Sequence, residues 1–226
     1  MGLFGYIRGV GRNVDIHDER SLHVQTSKRS VQIAAMLAAG VLAGCQTGGA
    51  GTSEAKSAAP LLSGYTCCNM RHEAGNDWIN ELNYVGWPMI PLGTQASISS
   101  YGRHRAAVTI GGKPMRVGQD YTREQLSLEE YMARWIVQRD PKVKLATFPA
   151  NIQAAIKLGK VMKGMTREQV IMSVGYPLTQ ENPVLDAPMW RMWMSSFGEY
   201  QLMWGSDGKV KDIVGDPLTK NMIVQP

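Results

Sequence analysis

Histidine, cysteine and charge are scarce in this sequence, and each scarcity excludes a chemistry. Only four His and three Cys occur in 226 residues. Structural zinc needs four Cys, His or carboxylate ligands. Cys67-Cys68 followed by His72 is the nearest approach, and no second pair completes it. His72 and His104 belong to no Ser/His/Asp or metal-ligand arrangement. Charged residues make up 19% of the chain, below the usual quarter. The formal net charge of +5 is mild, without the concentrated Lys/Arg face that nucleic-acid binding requires. A long apolar run is missing too, because Val31–Gly44 falls short of the roughly 20 residues that span a bilayer. Cofactor, metal and nucleic acid are therefore not expected. What is abundant is large, adaptable apolar surface, with 14 Met and six Trp.

That short apolar run is nevertheless informative. Lys28 and Arg29 form a positive segment ahead of Val31–Val41, which is apolar except for Gln32, and Leu42-Ala43-Gly44 place small residues just before Cys45. The stretch resembles the lipobox of bacterial lipoproteins. The resemblance implies lipidation of Cys45, removal of residues 1–44 and a mature chain that starts at Cys45. Asp15, Asp18 and Glu19 make the segment before Lys28 more acidic than such leaders usually are. Gln46 stands where Asp tends to retain lipoproteins in the inner membrane of enteric bacteria, so the expected location is the periplasmic face of the outer membrane. In that oxidising compartment Cys67 and Cys68 are a vicinal disulfide, two small buried thiols or a redox-labile pair.

Residues 45–63 are rich in Gly, Ala and Ser and read as a flexible tether. Ser53-Glu54-Ala55-Lys56 matches the S-x-x-K of serine acyltransferases, but it sits in the tether and neither companion motif follows. Residues 64–121 read as a small β domain, SH3-like in kind. Ala96–Tyr101 and Arg105–Ile110 have strand composition, and Gly111-Gly112 turns the chain into Lys113–Val117. Residues 122–160 read as a helical connector. Ser127 and Glu130 form a capping box for a helix carrying Leu128, Met132, Trp135 and Ile136 and ending near Asp140-Pro141. The Glu129/Glu130 pair suits the positive end of the helix dipole better than acid–base catalysis. A second helix is expected over 149–158, with Ile152, Ala155 and Ile156 on one face.

From residue 161 the pattern changes again. Thr166 and Gln169 make a capping box after Gly164, Val170 and Val174 form an apolar i, i+4 pair, and Gly175-Tyr176-Pro177 ends the helix. Strands are expected at Met189–Met194, at Tyr200–Trp204 with Tyr200, Leu202 and Trp204 on a core face, and at Lys209–Val214 after the Asp207-Gly208 turn. Two helices and a three-stranded meander make an α+β two-layer fold. Gly159 and Gly164 have P-loop spacing, but Met165 stands where Lys is required, which excludes nucleotide binding.

The Gly164–Val170 run, the Gly175-Tyr176-Pro177 turn, the Trp190/Trp193 strand and the Asp207-Gly208-Lys209-Val210 hairpin resemble the SmpA/OmlA (BamE-like) family over residues 161–214. The resemblance implies an α-α-β-β-β domain over 161–226 and a non-catalytic lipoprotein. It also implies binding to outer-membrane β-barrel assembly components or other envelope proteins, and to anionic phospholipid. Arg167, Arg191 and Lys209 are the candidate partner or lipid contacts. The chain departs from the family pattern by inserting residues 64–160 between the tether and this domain. The alternative is a cell-wall or glycan-binding lipoprotein that uses residues 64–121, for which an exposed cluster of Trp78, Tyr84, Trp87 and Tyr101 would be diagnostic.

Overall fold

The computed structural model describes residues 60–121 and 126–226, all within one compact unit. Cys45, the leader and the tether up to residue 59, including Ser53–Lys56, lie outside the described residues. The chain is α+β, as its element pattern predicts. Seven strands come first: β1 (Leu62–Thr66), β2 (Met70–Arg71), β3 (Trp78–Asn80), β4 (Met89–Ile90), β5 (Gln95–Tyr101), β6 (Arg105–Ile110) and β7 (Lys113–Gly118). Then follow α1 (Leu128–Trp135), β8 (Ile136–Val137), α2 (Pro141–Leu145), α3 (Ala150–Lys157) and α4 (Arg167–Val174). The chain closes with β9 (Met189–Ser195), β10 (Gly198–Trp204), β11 (Val210–Gly215) and α5 (Pro217–Ile223).

A six-stranded sheet runs β3-β7-β6-β5-β1-β8, antiparallel except for the β3/β7 pair. Ala106, Val108 and Ile110 alternate inward along β6 and pack with Tyr131, Met132 and Trp135 of α1. The second sheet is the antiparallel meander β11-β10-β9. Gly198, Tyr200, Leu202 and Trp204 are buried at every second position of β10, so a one-residue slip in pairing would expose this whole face. Against it lie Ile152, Ala155 and Ile156 of α3 and Val170, Met172 and Val174 of α4. Trp190 and Trp204 meet edge to face, with centroids 4.8 Å apart, the geometry that the ring quadrupole favours.

Both expected capping boxes form, Ser127 with Glu130 and Thr166 with Gln169. Four features depart from the sequence expectation. The first helix stops at Trp135, because Ile136 turns extended and Ile136–Val137 joins the sheet beside β1. Asp140 then caps a separate short helix, α2, with Pro141 in its first turn. At the C-terminus Asp216 caps α5, whose Ile223 enters the core. β1 also starts at Leu62, inside the stretch that composition assigns to the tether.

A buried polar seam stitches the β-rich segment to the C-terminal layer. Asn69 is 1% exposed, and its Nδ2 donates to Ile156 O at 2.6 Å and Ser173 O at 2.9 Å. Its Oδ1 accepts from Leu92 N at 3.0 Å. Asn83 stands at φ 47°, which Asn tolerates better than most residues. Its Nδ2 donates to Asn69 O and Val174 O, and its Oδ1 accepts from Arg71 N. These side chains replace a ladder that the two elements do not share, so buried backbone groups on both sides stay paired.

Candidate functional site

The loop after β3 carries the aromatic residues of the most distinctive surface feature, and a buried arginine sets its shape. Arg71 is 7% exposed, and its guanidinium donates to Val85 O at 2.7 Å and Trp87 O at 2.9 Å. Burial lowers the Arg71 pKa from its ordinary value. Hydrogen bonds to two carbonyls compensate part of the desolvation cost that this burial carries. The chain between Asn83 and Trp87 is thus fixed from inside. It presents Tyr84 and Trp87, whose rings pack against each other at 5.1 Å.

The groove they line has a volume of about 500 Å³ and takes residues from distant parts of the chain. Trp193 of β9 faces it, with its indole N–H donated to Glu181 at 2.7 Å. Tyr121 borders it and stacks on Trp78 at 5.9 Å. Trp78 is covered on its other contacts by the Arg105 guanidinium, 4.4 Å from the ring centroid, and donates its N–H to Asp120. The buried Glu81 carboxylate accepts from the backbone N–H groups of Asp120 and Tyr121, at 2.9 and 2.7 Å, and so positions Tyr121. Glu73 and Glu181 supply carboxylates to the same groove.

The four aromatics whose clustering would be diagnostic of the alternative, glycan-binding reading do not all come together. Tyr84 and Trp87 line the groove, Trp78 supports it through Tyr121, and Tyr101 packs against the first core. Trp193 and Tyr121 join them instead. No local spacing signals this, because the groove is assembled across the seam.

The three candidate cations differ in their engagement. The Arg167 guanidinium donates to Leu185 O, Asp186 O and Ala187 O and lies 4.5 Å from the Trp204 centroid. It serves the fold by holding the loop before β9. Arg191 pairs with Glu199 at 3.2 Å. Lys209 is exposed at the hairpin before β11, next to the bridge that its backbone makes with Thr166. None of the three lines the groove. Cys67 and Cys68 are joined to each other by a disulfide, and both are buried in the first core. His72 turns its Nδ1 toward Glu73 O and Asn76 O.

No protein-family model, curated protein or solved structure matches this chain. Among the described residues, no three His, Cys, Asp or Glu side chains are grouped as a metal site would need. None of the described helices is long and apolar enough to cross a membrane.

Proposed function

We propose that this chain is an outer-membrane lipoprotein, anchored by a lipid on Cys45, that acts as a non-catalytic interaction factor in envelope biogenesis. Its partners are the components that assemble outer-membrane β-barrels. What supports the reading is the Leu42-Ala43-Gly44-Cys45 sequence together with a C-terminal layer in which α3 and α4 precede the meander β9–β11. Helix α3 lies ahead of residue 161 and α5 follows the meander, so residues 161–226 alone run α-β-β-β-α rather than the α-α-β-β-β expected of the SmpA/OmlA (BamE-like) family. The layer's helices α3 and α4 share one core with the meander β9–β11, as a compact binding domain requires. The β-rich segment is SH3-like in kind and serves as an added adaptor on the same anchor.

Lys209 is the contact we assign to a partner or to anionic phospholipid, since Arg167 and Arg191 are engaged within the fold. A lipid chain contributes about 0.8 kcal/mol per buried methylene, so the anchor is the dominant membrane contact and Lys209 an accessory one. Replacing Cys45 with Ser should move the chain from the membrane pellet to the soluble periplasmic fraction. Persistent sedimentation of Cys45→Ser with the outer membrane would contradict the anchoring.

A further inference from the structure

We propose that the groove lined by Tyr84, Trp87, Tyr121, Trp193, Glu73 and Glu181 binds a neutral oligosaccharide. This is independent of the Cys45 anchor and of the β-barrel assembly reading. Three observations carry it.

First, the aromatic faces are fixed before any ligand arrives. Tyr84 and Trp87 brace each other, and Arg71 holds their loop through Val85 O and Trp87 O. Trp193 is tied to Glu181, and Tyr121 rests on Trp78. A preorganised site avoids the ordering entropy that weakens binding at mobile side chains. Tyr121 is 56% exposed, while Tyr84, Trp87 and Trp193 are half-buried. The face of an aromatic ring is electron-rich, and the C–H face of a pyranose is its natural complement.

Second, the polar groups match a polyol. Ionised carboxylates only accept hydrogen bonds, and sugar hydroxyls supply donors. Proline-rich segments are the other common ligand of aromatic grooves, but Pro offers a carbonyl and no N–H. Each Pro in such a ligand thus brings fewer donors for Glu73 and Glu181 than a sugar ring with several hydroxyls does.

Third, the charge selects against anions. Among the described lining residues are two carboxylates and no Lys or Arg. A uronic-acid or phosphorylated polymer would meet like charge. The volume of about 500 Å³ lies within the range of roughly 300–1,000 Å³ typical of small-ligand sites.

The test is titration of the purified full-length chain with chitotetraose and with cellotetraose, read by tryptophan fluorescence and by calorimetry. At least one tetrasaccharide should bind saturably, and tetragalacturonate should bind more weakly than either. Trp87→Ala and Tyr84→Ala should each weaken binding about tenfold, the effect of losing one stacked ring. Leu218→Ala, an exposed apolar position on α5 outside the groove, should leave affinity unchanged. The wild-type titration stands even if a groove variant fails to fold. Absence of saturable binding of both tetrasaccharides, unchanged affinity in both folded groove variants, or tighter binding of a proline-rich peptide would overturn the proposal.

Discussion

Replacing Asn69 with Ala should destabilise the folded chain by about 3–5 kcal/mol, a large loss for one exposed-to-none polar side chain. Asn69 sits at the seam and has three backbone partners, Ile156 O, Ser173 O and Leu92 N. Removing the amide leaves those groups buried and unpaired, and each such orphan costs about 1–3 kcal/mol. An apolar isostere gives no relief, because the orphaned groups belong to the main chain. Urea unfolding followed by circular dichroism should show a lower midpoint with an unchanged slope, the signature of altered stability without altered compactness. A loss under about 1 kcal/mol would mean that water or a shifted backbone replaces these bonds, and the seam would not be the joint described here.

The second large effect lies at Gly175, directly after α4. Its φ of 84° with ψ of −177° belongs to a region that only glycine occupies readily. A Cβ there would stand 2.7 Å from Asn83 Nδ2 and 2.9 Å from the Trp135 ring. Gly175→Ala should therefore cost about 1–3 kcal/mol in backbone strain and a further ~1–3 kcal/mol in overpacking. Gly164 separates the two contributions. It has φ of 87°, yet nothing lies within 4 Å of its added Cβ. Gly164→Ala should show the backbone cost alone, about 1–2 kcal/mol. Equal losses at the two positions, measured by thermal or urea unfolding, would contradict the tight approach of Gly175 to Trp135 and Asn83.

Gly175 is legible in the sequence as the end of α4, whereas Asn69 marks where the sequence stops being readable. Helices with local signals are legible: Ser127/Glu130 and Thr166/Gln169 announce α1 and α4, and both capping boxes form. The alternation of Tyr200, Leu202 and Trp204 predicts the buried face of β10, and all three are buried. Short elements escape because their stabilisation is tertiary. Ile136–Val137 continues the apolar periodicity of α1, but pairing with Tyr65 and Thr66 draws it into the sheet. Nothing near Asn69 or Asn83 reveals that they bond to α3 and α4, since a polar side chain that pairs at long range leaves no periodic trace. The groove is hidden for the same reason. Tyr84 and Trp87 are visible as an aromatic pair in a turn-rich loop, whereas Trp193 reads as one more residue of a strand. Arg167 misleads in the opposite sense: it looks like a surface cation of a first helical turn, and the carbonyls of Leu185, Asp186 and Ala187 claim it.

The proposed role is binding of envelope assembly proteins from a lipid anchor. The most direct test is mild-detergent purification of the tagged protein from cell membranes, followed by mass spectrometry, with a known, unrelated tagged lipoprotein as control. Enrichment of the central β-barrel assembly subunit over the control is the expected result. Enrichment of peptidoglycan-linked proteins in its place, or no enrichment of any assembly subunit, would contradict it.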